Sequence, residues 1–157
     1  MLQLILHLLG DYATQSHWMA QNKTKSFWAA LCHAEVYSLP FLLIASPRAF
    51  LIILITHFLI DRFGLARHVV YVKNIAFSPP IWIAWIRCAG IGIEQARNGE
   101  DKAQFSLLWN YRWRNCSTTG YPAETPPWLA VWLQIICDNT MHLAINYFAI
   151  WAFPSGI

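Results

Sequence analysis

Three apolar stretches of this chain each carry an aspartate and a histidine four residues apart: HLLGD with His7 and Asp11, HFLID with His57 and Asp61, and DNTMH with Asp138 and His142. An ionisable side chain held away from water costs a few kcal/mol unless it meets a partner, a cavity or an ion. Residues four apart share one face of a helix, with about 5–6 Å between their Cβ atoms. Whatever fold the chain adopts must be helical at these three places and must turn the polar faces toward something other than hydrocarbon. Of the four aspartates only Asp101, in a polar stretch, has no histidine at this spacing.

Composition says what surrounds those faces. The 157 residues are 57% apolar and 12% charged, with a mean hydropathy of +0.36, against about 25% charged for an ordinary soluble domain. The expectation is an all-α polytopic transmembrane bundle in a single domain over residues 1–157, of about four to five helices at some 20 residues per span. Five segments carry it: Leu2 to about Thr14, too short to span fully; Phe27 to Ser46, with Pro40 as a kink; Ala49 to about Leu65; about Pro79 to Ile93; and Pro127 to Phe153. SHWMAQNKTKS reads as a polar connection between the first two segments, and RFGLARHVVYVKN as a basic linker after the third. A polar excursion over about 94–126 contains KAQFSLLWNYRW, which reads as an amphipathic helix lying on the membrane. The second and third segments, joined by Ser46–Arg48, form a helical hairpin. If the fourth segment spans, the third and fifth run parallel, which sets His57 level with Asp138 and Asp61 level with His142.

Lysine and arginine give the orientation. Lys23, Lys25, Arg62, Arg67 and Lys73 fall on one side of that hairpin and mark it as cytoplasmic, although Arg97, Lys102, Arg112 and Arg114 oppose this if the fourth segment spans. The net charge of +3 is too small and too scattered for nucleic acid. Four cysteines without C-x-x-C spacing read as thiols in apolar surroundings rather than as a zinc or disulfide framework. The N-terminal stretch lacks a basic n-region and a small-residue cleavage site, so it is expected to stay in the fold.

Imidazole nitrogens and carboxylate oxygens on facing helices can converge on one divalent ion at about 2.0–2.2 Å. With His33 entering from the second segment, the candidate metal ligands are His7, Asp11, His33, His57, Asp61, Asp138 and His142. Six or seven ligands would suit two ions about 3.5–4 Å apart. Nitrogen and oxygen donors without thiolate suit Zn, Mn or Fe alike. Asp61 and Asp138 are the candidate catalytic bases. Lys23, Arg62 and Arg67, at the mouth, are candidate substrate-binding residues for a phosphate, arginine supplying the forked contact. Gln15, Asn22, Tyr37, Asn74, Asn139 and Asn146 could orient the ligands from behind. The competing reading takes the pairs as interhelical polar contacts worth about 0.6 kcal/mol each; a proton relay is a third.

HLLGDYATQSHWMAQNK, HAEVY, THFLIDRFGLARHVVYVKN and ICDNTMHLAINY together resemble an uncharacterised family of small bacterial and bacteriophage membrane proteins. More distantly, the layout resembles membrane-bound metal-dependent hydrolases that place His and Asp on transmembrane helices. The first resemblance implies a bacterial inner-membrane protein; the second implies the seven ligands named above. The expected function is hydrolysis, with a divalent metal, of a phosphate-bearing lipid or lipid-linked substrate. The alternative is a non-enzymatic phage or prophage membrane protein that modifies the host envelope. Membrane lipid is the expected partner, and the sequence leaves room for a homo-oligomer.

Overall fold

Serines and prolines set where the helices begin. In the computed structural model, which describes residues 1–99 and 101–155, Ser16, Ser26 and Ser46 each cap a helix by accepting from the backbone N–H three residues on. Pro47, Pro79 and Pro127 occupy first-turn positions, where a missing N–H costs nothing. Every regular element among the described residues is helical. The helices are α1 (Leu2–Leu8), α2 (His17–Asn22), α3 (Phe27–Ser38), α4 (Pro47–Phe63), α5 (Leu65–Ala76), α6 (Pro79–Ile91), α7 (Ile93–Asn98), α8 (Lys102–Asn110), α9 (Trp113–Cys116) and α10 (Pro127–Ala152). A π-helical turn, Leu9–Ala13, extends α1, and a 3₁₀ turn, Leu39–Leu43, extends α3.

Several of these depart from the sequence expectation. The connection before α3 contains α2, and the stretch read as a basic linker is mostly α5. Pro40 does not kink a continuous helix; it lies in the 3₁₀ turn, where its missing N–H and fixed φ are accommodated by tighter winding. The polar excursion folds into α7, α8 and α9, of which α8 is a helix over the KAQFSLLWN part of the stretch read as one, ending three residues before that stretch does. Among the described residues no single helix is long and apolar enough to cross a membrane, while the bent pair of α4 and α5 passes together on length and composition.

The chain forms two compact units. The first comprises Met1–Leu65 with the segment from Asp138, and the second Ala66–Cys137. In the first unit, α3 and α4 form the expected helical hairpin, with the Phe27 and Phe58 rings 5.2 Å apart and Phe41, Ala49 and Ile53 in one apolar cluster. Ser46 Oγ donates to the Phe153 carbonyl at 2.7 Å, and the His57 and His142 rings lie 4.1 Å apart. The start of α4 therefore faces the end of α10, and the two run antiparallel. This corrects the parallel arrangement expected from five spans: His57 lies opposite His142, not Asp138.

The buried stripe of α4 changes character along its length. On α4, Ala49 and Ile53 are buried with Leu6, Tyr37, Phe41 and Ala149 in the apolar cluster, whereas His57 and Asp61, farther along the same face, are buried among polar groups. Outward positions on the same helices are apolar and exposed, including Leu8, Leu9, Leu51, Ile55, Leu59, Phe148 and Trp151. In the second unit the buried hydrophobic side chains are Ala66, Val70, Ile81, Ala84, Cys88, Ala96, Cys116 and Ala130, a small apolar interior.

Candidate metal centre

Two local features of the backbone deliver Asp11 and Asp61. The π turn places Asp11 on the buried side of the α1 extension, beside Gly10. A Cβ at Gly10 would lie 2.5 Å from Tyr37 Cδ2 and 3.0 Å from the Tyr37 carbonyl, so only glycine lets this segment approach α3 so closely. Asp61 lies in the last turn of α4, which Gly64 ends in the left-handed region at φ 57°.

The carboxylates and imidazoles converge. His33 Nε2 lies 3.0 Å from His57 Nε2, 3.3 Å from Asp11 Oδ1 and 3.1 Å from Asp61 Oδ2. His57 Nε2 is 3.2 Å from Asp61 Oδ2 and 3.6 Å from Asp11 Oδ1. Ligands about 2.0–2.1 Å from a tetrahedral ion stand about 3.3–3.4 Å from one another. These five separations fall around that length. The sets Asp11, His33, His57 and His57, Asp61, His142 each offer ligand atoms within 4.8 Å of one another, all buried.

Asp61 reaches both sets with its two oxygens. Its Oδ1 lies 3.8 Å from His142 Nε2, which is also 3.7 Å from Asp138 Oδ2. These spans are too long for hydrogen bonds and suit an ion between the groups. His142 Nε2 is buried without a hydrogen-bond partner among the described residues, as are His33 Nδ1 and His57 Nδ1. Outer nitrogens of ligating histidines usually donate to a carboxylate or carbonyl; here the His57 ring is held instead by stacking on Tyr37, centroids 3.6 Å apart at 16°.

All three i, i+4 pairs expected from sequence are in contact, His7 with Asp11 at 3.5 Å, His57 with Asp61 at 3.2 Å and Asp138 with His142 at 3.7 Å. His7 stands behind Asp11, outside the convergent sets, between the Tyr37 hydroxyl at 2.8 Å and Asn139 Oδ1 at 3.3 Å. Asn146 Nδ2 donates to the Tyr37 hydroxyl at 2.6 Å, and Asn139 Nδ2 donates to the Tyr12 hydroxyl at 2.6 Å. These bonds run through Asn146, Tyr37, His7, Asn139 and Tyr12 and fix the His7 ring. Asp138 also lies outside the convergent sets and is the most exposed of the three acids, at 27% of its side chain.

The cationic candidates separate. Lys23 is not only at the mouth: its Nζ lies 3.0 Å from Asp61 Oδ2, inside the cluster. The Gln15 amide lies 3.2 Å from His33 Nε2; in the orientation that satisfies its neighbours, its nitrogen donates to the Asp11 carbonyl and its oxygen accepts from Lys23 Nζ and His33 Nε2, each at 3.2 Å. Burial works against the Lys23 ammonium, but Asp61, Asp11 and Asp138 outweigh it and hold its pKa above the ordinary lysine value. Arg62 Nη1 donates to the Thr24 carbonyl at 2.7 Å, against the turn that carries Lys23. Arg67 belongs to the second unit, where its Nη1 donates to the Ser117 carbonyl at 3.4 Å. Asn22 is spent on the Trp18 carbonyl and Asn74 on the Gly120 carbonyl, so neither supports a ligand. Sequence reasoning missed the Lys23 contact, the Tyr12 hydroxyl and the role of Gly10. The glycine beside an acid in an otherwise bulky helix was the one available signal.

Three carboxylates, of Asp11, Asp61 and Asp138, meet a single lysine ammonium in and beside this interior. Uncompensated buried charge is costly, and a divalent ion would balance it. The buried His/Asp cluster could hold a metal ion.

Residues 1–78 match the model of a family described as protein of unknown function (DUF3307). That segment carries five of the seven candidate ligands, His7, Asp11, His33, His57 and Asp61, and ends at the start of α6. No curated protein and no solved structure matches the chain. The likeness is to an uncharacterised family, and the site's chemistry rests on its own geometry.

Proposed function

We propose that the chain is a membrane-embedded, metal-dependent hydrolase acting on a phosphate-bearing lipid or lipid-linked substrate, with one or two Zn, Mn or Fe ions in its first unit. One observation carries this reading: Asp11 Oδ1 and Asp61 Oδ2 each lie within 3.6 Å of both His33 Nε2 and His57 Nε2, inside a unit whose outward faces are apolar. When bound, a divalent ion supplies Lewis acidity toward a phosphoryl oxygen and a water whose pKa falls toward about 7. The residues divide the remaining work. Asp61 is a ligand, being buried and aimed at three imidazoles. Asp138, outside the convergent sets and partly exposed, is the general base. Lys23 and Arg62, the latter held on the Thr24 carbonyl next to Lys23 in the chain, bind the phosphate.

The test is hydrolysis of a panel of phospholipids and lipid-linked phosphates by metal-loaded protein, with metal content measured beside it. Asp138→Asn should lower turnover by about 10²–10⁴-fold, the usual contribution of a general base, while keeping its metal. Arg62→Ala should weaken substrate binding and also keep the metal. Unchanged turnover in Asp138→Asn, or no turnover by the wild type on any member of the panel, would overturn the enzymatic reading.

The Lys23–Asp61 ion pair favours a second reading, in which the ammonium is the cluster's own counter-ion and the polar groups hold a non-enzymatic envelope protein together. In that case metal removal leaves the melting temperature unchanged.

A further inference from the structure

Helix α5 belongs to the second unit from Ala66 onward, and its inner face is fully occupied. Ala66 and Val70 are buried, Tyr71 donates its hydroxyl proton to the Tyr111 carbonyl at 3.0 Å, and Asn74 Nδ2 donates to the Gly120 carbonyl at 3.1 Å. The approach is tight: Gly120 has φ 84°, and a Cβ there would collide with the Arg67 carbonyl and the Val70 side chain.

The opposite face is apolar and open. Val69, Val72 and Phe77 are 41%, 62% and 79% exposed; Val69, Val72 and Ala76 stand at i, i+3 and i+7 on one helical stripe, with Lys73 at i+4 and Phe77 just past the end of the helix. A helix with water outside would carry polar residues there. Only cationic or neutral polar groups rim the stripe. Lys73 donates to the Tyr121 hydroxyl at 3.1 Å with its ammonium 5.5 Å from that ring, and His68 stacks on Trp113 at 4.4 Å. Between Asp61 and Glu94 the sequence has no acidic residue at all. Trp82 of α6, half exposed, donates its indole N–H to the Ile75 carbonyl at 2.9 Å, at the same end of α5 as Phe77. Indoles favour the headgroup level of a bilayer.

Twelve residues at about 1.5 Å each reach about 18 Å, short of the roughly 30 Å of a hydrocarbon core. Arg67, His68, Lys73 and Asn74 make the helix too polar to enter that core end-on. We propose that α5 lies in the plane of an anionic bilayer surface, with Val69, Val72, Ala76 and Phe77 at the acyl boundary and Lys73 against the anionic headgroups. The inference rests on the membrane part of the reading above and is independent of the metal.

The test places the photoreactive residue p-benzoylphenylalanine at position 72 in the full chain. The protein is reconstituted in vesicles of phosphatidylcholine and phosphatidylglycerol, about three to one, and cross-linked adducts are identified by mass. Position 72 should yield lipid adducts, with the phosphatidylglycerol-to-phosphatidylcholine ratio raised about fivefold over the bulk ratio, from about one to three to about five to three, the effect of one basic residue at a surface. The same probe at position 74, on the docked face, should yield none. Lys73→Glu should bring the enrichment back to the bulk share. Adducts to protein, no lipid adducts at position 72, or phosphatidylglycerol at its bulk share would overturn the proposal. Alkaline extraction of the same vesicles separates the two ideas. A chain that resists extraction without enrichment at position 72 loses only the α5 proposal. A chain that is extracted yet shows the enrichment loses only the spanning reading.

Discussion

Both units of this protein bury apolar residues, but among the described residues only the first also buries polar or charged ones. His7, Asp11, His33, His57, Asp61, His142 and Asn146 lie inside it beside an apolar cluster, while the second buries alanine, valine, isoleucine and cysteine. An interior of ionisable groups is a poor source of stability, because desolvation offsets most of what the pairs contribute. It is worth keeping only if the groups act together on something. An exterior of leucine is unremarkable where lipid replaces water and a liability elsewhere. The difference teaches that the first unit carries, beside its apolar core, buried polar groups that packing alone does not call for, whereas the second carries an apolar interior.

The largest effect that could break this comparison comes from His57, which belongs to both convergent sets and stacks on Tyr37. His57→Ala should abolish metal retention and destabilise the first unit by about 3–5 kcal/mol, since it strips a partner from a buried polar cluster. Metal content and a denaturant curve check it. Retention of a full equivalent of metal would remove His57 from the site.

The exterior can be tested next. Ile55, on α4, is about half exposed. Ile55→Lys should raise the cost of membrane insertion by about 3–4 kcal/mol, the difference between the two side chains at mid-bilayer. The measurement is the fraction resistant to alkaline extraction. An unchanged fraction would mean that this face does not meet lipid.

A matching substitution in the second unit sharpens the contrast. Ile81 is buried there among apolar residues. Ile81→Ala should cost about 2–5 kcal/mol by the usual cavity argument and leave metal content untouched, because no candidate ligand belongs to that unit. Loss of metal from this variant would show that the units do not divide the labour as described.

Much of this was legible in the sequence for a physical reason. A histidine four residues from an aspartate in an apolar run fixes the period, the face and the need for a partner, so the three contacting pairs could be named in advance. His33 was found by level alone. Direction was not legible: whether α10 runs with α4 or against it depends on what the segment between them does, and that segment reads equally as a span or as surface helices. The amphipathic period of α5 was hidden by its basic residues, which resemble a linker until the docked face is known. Lys23 looked like an anchor because nothing local tells a lysine on a turn to reach inward to Asp61.

The smallest effect has the opposite sign from the others. Lys23 Nζ contacts the oxygen of Asp61 that also faces His33 and His57. If ammonium and ion compete for that oxygen, Lys23→Gln should bind metal at least about tenfold more tightly, equivalent to about 1.4 kcal/mol, while lowering the stability of the metal-free protein. Calorimetric titration with Zn or Mn checks it. A weaker or unchanged affinity would place the lysine as a structural counter-ion only.

The central claim is that the polar interior of the first unit holds a divalent ion, and elemental analysis of the purified full-length protein addresses it directly. The account predicts about one to two equivalents of Zn, Mn or Fe in the wild type and less than about a tenth of that in Asp61→Asn, because Asp61 reaches both sets. The wild type's melting temperature should fall in chelator and recover on adding metal back. Less than about half an equivalent of any such metal in the wild type, with a melting temperature indifferent to chelator, would contradict the account and leave the cluster as an ion-pair network closed by Lys23.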